Sequence, residues 1–270
     1  MLRPLRYLTL TLAWPVLAMA ADTPVPAPAP APEDVAFVAD HDGSEQRFVL
    51  LPPPAFDPAK PVDILIALHG HGSDRWQYIR DPRAECRAAR EVAAAHGMLF
   101  VSPDYRARTS WMGPAAEADM VQMIALLKKR FQVRRVYLTG ASMGGASSLT
   151  FAVRHPDLLA GVASLNGTAN HLEYQQFQDA ISASFGGSKQ ALPEVYKARS
   201  AEFFPEKLTM PLALVVSGKD TLVPPDSVRR LATALRAQGK AFLMLDRLEE
   251  GHQTSYADAK AAVEYILPKP

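Results

Sequence analysis

One short stretch, Gly140-Ala141-Ser142-Met143-Gly144-Gly145, constrains this chain more than any other. Strand-like sequence, residues 136–139, leads into it, and a small-residue helix, residues 146–154, leads out. The flanking glycines remove side chains where strand and helix pass closely, so the turn forces the Ser142 hydroxyl outward at the strand's carboxyl end. That context favours a nucleophile elbow over a chance Gly-x-Ser-x-Gly. We predict an α/β domain with Ser142 as a nucleophile; the alternative is a glycine-rich turn without a catalytic role.

A second glycine-rich loop, His69-Gly70-His71-Gly72, follows a nearly continuous apolar run at residues 62–68. Such a run is typical of a strand buried on both faces of a parallel sheet. Acyl transfer needs two hydrogen-bond donors at the oxygen that becomes negative, and backbone amides in a glycine-rich loop can supply one. We predict an oxyanion hole made by the amide of His71, or of a neighbour within one residue, and by the amide of Met143. The alternative is an ordinary loop with two surface histidines.

Two further polar residues follow strand-like sequence later in the chain. Asp220 ends the stretch after residues 212–217, and His252 comes after the last strand, residues 241–245. The chain order serine, acid, histidine is that of one particular catalytic triad. His252 would take the proton of the Ser142 hydroxyl, and Asp220 would hold the imidazole in the correct tautomer. Three other acids are alternatives to Asp220 but are poorly placed relative to a strand end: Asp226, Asp246 and Glu249.

The start of the chain has the composition of an export signal. Residues 1–20 combine an arginine-containing start, an apolar stretch and a small-residue cleavage site, which predicts a secretory signal peptide and a mature chain from Ala21. The alternative is a retained membrane anchor. Residues 21–34 alternate alanine and proline, which predicts an extended leader before a folded domain at residues 35–270. We therefore expect a periplasmic or secreted protein, with no transmembrane segment after signal removal.

Charge and cysteine content exclude some classes of function. The formal net charge is +1, so the sequence has no electrostatic footprint for nucleic acid or for an anionic membrane surface. Cys86 is the only cysteine, so no intramolecular disulfide can form. His69 and His71 have no acidic or cysteine partner at ligand spacing, so no metal site is predicted.

The regular alternation of strands and helices stops between residues 166 and 208, where six aromatic residues fall in one stretch. An insertion at the carboxyl edge of the sheet is a candidate cap over a substrate pocket; a satellite group of helices is the alternative. Tyr174 and Phe177 from this insertion are predicted pocket residues, and so is Trp111 from an earlier loop, for which packing over the strand ends is the alternative. Aromatic pocket walls would suit an apolar or aromatic acyl group.

The motifs together resemble those of the α/β-hydrolase superfamily, within it the esterase and prolyl-oligopeptidase-related branch. The matching residues are His69-Gly70-His71-Gly72, Gly140 to Gly145, Gly218-Lys219-Asp220 with Val223-Pro224, and Gly251-His252. The resemblance covers roughly residues 62–267. It implies an eight-stranded, mostly parallel sheet flanked by helices, with the first hairpin as its antiparallel edge, and no cofactor or metal.

Three functions fit this reading. The leading one is a serine esterase that cleaves a small-molecule or polymer-derived carboxylic ester through an acyl-enzyme. The second is a serine peptidase, although such peptidases carry a large gating domain for which we expect no room here. The third is a non-catalytic binding module, which is disfavoured because no triad residue or oxyanion glycine is missing. Feruloyl, acetyl-sugar and polyester substrates all remain open.

Overall fold

The computed structural model describes residues 31–268. The predicted signal peptide at residues 1–20, and most of the predicted leader at residues 21–34, lie outside the described residues. The first strand begins at Glu33, two residues before the predicted start of the folded domain. Glu33 is held there by Arg130, whose guanidinium donates to both of its carboxylate oxygens.

Eight strands form one sheet in the order β1-β2-β4-β3-β5-β6-β7-β8, and only the pairs β1-β2 and β2-β4 are antiparallel. The strands are β1 (Glu33–Val38), β2 (Glu45–Leu51), β3 (Val62–Leu68), β4 (Leu99–Pro103), β5 (Val133–Ala141), β6 (Gly161–Leu165), β7 (Leu212–Ser217) and β8 (Leu243–Arg247). The predicted mostly parallel, eight-stranded sheet with an antiparallel hairpin edge is confirmed.

Helices cover both faces of this sheet. They are α1 (Gln77–Arg80), α2 (Ala84–Ala95), α3 (Pro114–Arg130), α4 (Met143–Arg154), α5 (Gln178–Phe185), α6 (Pro193–Ala198), α7 (Asp226–Ala237) and α8 (Tyr256–Ile266). The strand β3 is buried at every position, which explains its unbroken apolar sequence. One apolar cluster includes residues of α3, α4 and α7, and a second, on the opposite face, includes residues of α2 and α8.

The sheet topology brings distant parts of the sequence to one edge. The strands β3 to β8 run parallel, so their carboxyl ends meet at the same side. The loops after β3, β5, β7 and β8 therefore converge, and these loops carry all five predicted catalytic and oxyanion residues. This is the edge at which ligands bind in parallel α/β sheets.

The predicted insertion, residues 166–208, folds as α5, α6 and two short 3₁₀ turns. Two of its aromatic side chains, Phe185 and Tyr196, are buried with ring centroids 4.8 Å apart, whereas Phe203 is exposed. The start of α3 lies directly against α5, because a Cβ added at Gly113 would stand 2.0 Å from the Ser184 carbonyl oxygen. Ile181 and Phe185 of α5 also belong to the apolar cluster that contains residues of α3, so the insertion shares the core of the domain.

A buried ion cluster also ties the insertion to the domain. Glu117 on α3 contacts Arg154 and His155 at the end of α4, at 3.1 and 2.8 Å, and Arg199 after α6 at 2.7 Å. Burial alone would raise the pKa of Glu117. The hydrogen bond from His155 and the charges of Arg199 and Arg154 outweigh that effect and lower the pKa to about 2.

We expect Glu117→Gln to lower the free energy of unfolding at pH 7 by about 3 kcal/mol, because it leaves the buried Arg199 without its carboxylate. A carboxyl whose pKa is lowered by folding stabilises the fold above its unfolded-state pKa, and this stabilisation is lost as the pH falls toward the folded-state value. The difference between variant and parent should therefore shrink between about pH 5 and pH 2. Urea unfolding across that range tests this, with the exposed Glu264→Gln as control; a pH-independent difference would contradict it.

Within residues 31–268, none of the helices has the length and apolar character needed to cross a membrane.

Candidate active site

Ser142 is the single residue between the end of β5 and the start of α4. Its backbone is in the left-handed region, with φ +59°, which is uncommon for a residue with a side chain. The Ser142 amide donates to the Leu165 carbonyl of the neighbouring strand at 2.9 Å, which holds the turn in place. Strain of this kind persists only where the surrounding structure enforces it, and it concentrates at functional sites.

The glycines around Ser142 are required by close backbone approaches. A Cβ at Gly140 would lie 2.5 Å from the backbone of Gly144, and one at Gly144 would lie 2.1 Å from the Leu68 carbonyl oxygen. The helix α4 therefore crosses β3 and β5 at a distance that only glycine permits. This is the steric reason that the sequence pattern predicts the turn.

The structure brings Ser142, His252 and Asp220 together. The Ser142 Oγ is 2.9 Å from His252 Nε2, and His252 Nδ1 is 2.6 Å from Asp220 Oδ2. The His252 side chain is 26% exposed and the Asp220 side chain 1%, so the acid is buried behind an imidazole that reaches solvent. A carboxylate in this position fixes the imidazole with Nδ1 protonated, and Nε2 is then free to accept the serine proton.

Backbone contacts fix both the acid and the histidine loop. The second oxygen of Asp220, Oδ1, accepts from the amides of Leu222 and Val223 at 3.0 and 2.8 Å. Asn166, at the end of β6, donates through Nδ2 to the Gln253 carbonyl at 2.6 Å. Contacts among residues that follow β6, β7 and β8 thereby hold the triad in place.

The loop after β3 presents one amide suited to an oxyanion hole. The Gly70 amide donates to Gln77 Oε1 at 2.7 Å, and the Gly72 amide donates to the Arg108 carbonyl at 2.8 Å. Among the described residues nothing accepts from the His71 amide that lies between them. The Met143 amide belongs to the first turn of α4, where helical N–H groups lack an intrahelical acceptor. Of the alternatives in this loop, His71 is thus the free donor.

The three predicted pocket aromatics gather behind the oxyanion loop. Trp111 and Tyr174 are only 1% and 5% exposed. The indole Nε1 of Trp111 donates to His71 Nδ1 at 3.1 Å, and Phe177 lies on the same imidazole with a centroid distance of 4.2 Å. Trp111 and Phe177 both have positive φ, +45° and +56°. These side chains support His71, and for Trp111 the packing alternative describes the structure.

The open space next to Ser142 is a cleft of about 320 Å³ that both polar and apolar groups line. It is lined by Gly70, Gln77, Tyr78, Arg83, Ala84, Glu85, Ala141, Ser142, Asn166, His252, Gln253 and Thr254. Trp111, Tyr174 and Phe177 do not line it, so the expectation that they form its wall needs correction. The physical reason is that Trp111 and Tyr174 are buried against each other, and Phe177, which is half-buried, packs on Trp111 and His71.

We expect Trp111→Phe to lower kcat by about tenfold with little change in KM, because it removes the indole donor that orients His71. An oxyanion donor acts mainly in the transition state, so its misplacement affects kcat first. Steady-state kinetics on a p-nitrophenyl ester measure this. Trp76→Phe is the control, since the Trp76 ring packs on Arg80 and not on His71. An unchanged kcat would show that the loop keeps its shape without the indole.

A known protein family matches the part of the chain that carries this triad. The model of the prolyl oligopeptidase family matches residues 91–266, more than half of the chain. The chain belongs to that family. The matched region contains Ser142, Asp220 and His252, and it begins after the loop that carries His71. The chain is thus a serine hydrolase by family, with the α/β-hydrolase fold that its sequence motifs predict.

Solved structures share this fold. A puromycin hydrolase superimposes with a TM-score of 0.71 at 21% identity over 90% of this chain. FphF, a fluorophosphonate-binding serine hydrolase of Staphylococcus aureus, gives 0.67 at 17% over 88%, and a ferulic acid esterase gives 0.65 at 16% over 86%. The chain spans 39% of the puromycin hydrolase but 99% of FphF and 95% of the ferulic acid esterase. At these identities the likeness shows the fold alone.

Several residues of the cleft had no sequence signal, and they precede the region that the family model matches. Gln77 and Tyr78 lie on the four-residue helix α1, and Arg83 and Glu85 lie at the start of α2. No periodicity or glycine pattern marks them, and they reach the cleft because α1 packs under the loop after β3. The hydrogen bond from the Gly70 amide to Gln77 links this group to a recognised motif.

Proposed function

We propose that this protein is a secreted or periplasmic serine esterase that cleaves carboxylic esters through an acyl-enzyme. The observation that carries the proposal is the unbroken hydrogen-bond chain from Ser142 Oγ through His252 to the buried Asp220. A serine hydroxyl is a weak nucleophile at neutral pH, and this arrangement supplies the base that activates it. The export step rests on the composition of residues 1–20.

The geometry defines each step. Ser142 Oγ attacks the ester carbonyl carbon while His252 Nε2 takes its proton. The carbonyl oxygen becomes negative and accepts hydrogen bonds from the His71 and Met143 amides. The carbon–oxygen bond to the alcohol then breaks, and His252 returns the proton to the departing alcohol oxygen. Water attacks the acyl-enzyme by the same route, which releases the carboxylic acid and restores Ser142.

An ester is proposed ahead of a peptide because an alcohol leaves more readily than an amine, and the chain extends over nearly the full length of a ferulic acid esterase and of FphF. The family match favours the second candidate, a serine peptidase. A panel of p-nitrophenyl esters from acetate to decanoate, with methyl ferulate and peptide p-nitroanilides, separates the two. Anilide turnover at rates near those for the esters would reverse the order.

The proposed location has its own test. Expression of the full chain with a C-terminal tag should give a mature protein that begins at Ala21 and is released by osmotic shock or found in the medium. N-terminal sequencing of the fractions measures this. An uncleaved Met1 in the membrane fraction would overturn the export proposal and leave the esterase proposal untouched.

A further inference from the structure

One wall of the cleft beside Ser142 comes from the corner between α1 and α2. Gln77 is only 8% exposed yet lines the cleft. Its carboxamide oxygen already accepts from the Gly70 amide at 2.7 Å. Its NH₂ group is therefore left as a fixed donor beside the oxyanion loop.

Tyr78, the next residue, supplies a second polar group. It is 1% exposed and lines the same cleft, and within residues 31–268 its buried hydroxyl has no hydrogen-bond partner. A buried hydroxyl without a partner is costly, by about 1–3 kcal/mol. Such a group at the wall of a cleft points to a ligand that completes its hydrogen bonding.

Charged residues at the start of α2 complete the wall. Arg83 donates to Asp81 at 2.7 Å, and its Nη1 lies 3.8 Å from Glu85 Oε1. One guanidinium therefore faces two carboxylates, and no surplus positive charge remains for an anionic ligand. The helix α2 has no side-chain cap, so its first backbone N–H groups add donors at Ala84 and Glu85.

The position of the wall indicates which part of an ester it would meet. His252, Gln253 and Thr254 line the same cleft. His252 must return its proton to the departing alcohol oxygen, so the alcohol portion lies against this histidine. The residues of α1 and α2 line the same cleft as this histidine, so they are within the space available to the alcohol portion.

We propose that this wall, Gln77, Tyr78 and Glu85, binds the alcohol portion of the substrate and that this portion is a neutral, hydroxyl-rich group such as a sugar. The inference rests on the proposed esterase function and narrows its substrate class. Sugar hydroxyls both donate and accept, which matches an amide NH₂, a phenol and a carboxylate in one wall. An alkyl alcohol would leave these groups unpaired, and an anionic one would meet the Glu85 carboxylate beside an Arg83 that is already paired.

Two acetate esters that differ only in the alcohol test the proposal: 6-O-acetylglucose and hexyl acetate, with released acetate as the readout. The parent protein should have a kcat/KM at least about tenfold higher for the sugar ester. Tyr78→Phe and Glu85→Gln should each lower the ratio of the two kcat/KM values by about tenfold. Tyr137→Phe, a buried tyrosine in the middle of β5 that does not line the cleft, is the matched control and should leave the ratio unchanged.

The possible outcomes separate the sugar inference from the esterase proposal. Equal kcat/KM values for the two esters in the parent, or variants that keep the parent's ratio, would overturn the sugar inference; hexyl acetate hydrolysis that needs Ser142 would still support the esterase. Hydrolysis of neither ester would overturn both. Glu85→Gln changes a helix-start residue and Tyr78→Phe changes a core residue, so melting temperatures of both variants separate a lost contact from a lost fold.

Discussion

Ser142→Ala is expected to lower kcat for p-nitrophenyl acetate by about 10⁶-fold. The alanine keeps the backbone of the turn and removes only the oxygen that lies 2.9 Å from His252 Nε2. Because the three triad residues act as one unit, His252→Ala should cost nearly as much, and the double variant should lose little more than either single one. Residual activity would come from the oxyanion amides and from substrate binding.

The control for this result is Ser188→Ala, which changes a serine in the insertion away from the triad. It should retain the parent kcat, and both variants should melt at the temperature of the parent. A Ser142→Ala protein with kcat within tenfold of the parent would contradict the assignment of Ser142 as nucleophile.

Gly144→Ala is expected to have the largest effect on stability of any single methyl addition in the elbow. The added Cβ would stand 2.1 Å from the Leu68 carbonyl oxygen, and that oxygen belongs to the backbone of β3, which cannot move aside. We expect a loss of about 3 kcal/mol or more in the free energy of unfolding and a Tm lower by roughly 10 °C. Activity should fall as well, because any adjustment displaces Ser142 and the Met143 amide.

Gly43→Ala is the comparison variant for this prediction. Gly43 has a positive φ of +76°, but an added Cβ meets nothing within 4 Å, so only backbone strain is introduced. That strain costs about 1–2 kcal/mol. Thermal unfolding of both variants measures the difference. Equal losses would mean that the crowding between α4 and β3 is absent in solution.

The elbow and the placement of the triad could be predicted because each rests on a local steric or topological requirement. Gly140 and Gly144 lie where two backbone segments cross closely. Any chain that makes this turn needs residues without side chains at that crossing. Asp220 and His252 each follow a strand, and parallel strands bring their carboxyl ends to one edge regardless of side-chain detail. From the sequence alone, the oxyanion donor in this loop could be the amide of His71 or of either neighbour. In the structure the amides of Gly70 and Gly72 already donate hydrogen bonds, which leaves the amide of His71.

The walls of the site could not be predicted, because they depend on packing between segments far apart in the chain. The aromatic residues Trp111, Tyr174 and Phe177 look like pocket residues in the sequence. In the structure they pack on one another and on His71, and nothing in their spacing distinguishes the two outcomes. Tyr78 and Glu85 belong to unremarkable helical sequence and reach the cleft only through the packing of α1 against the loop after β3.

The most direct test of the proposed esterase is to trap its intermediate. The protein is mixed with saturating p-nitrophenyl acetate, quenched in acid during turnover, and examined by intact-mass and peptide mass spectrometry. We expect one acetyl group per chain, located on Ser142 and missing from Ser142→Ala. Ester turnover with Ser142 unmodified, or with the acetyl group on another residue such as His71, would contradict it.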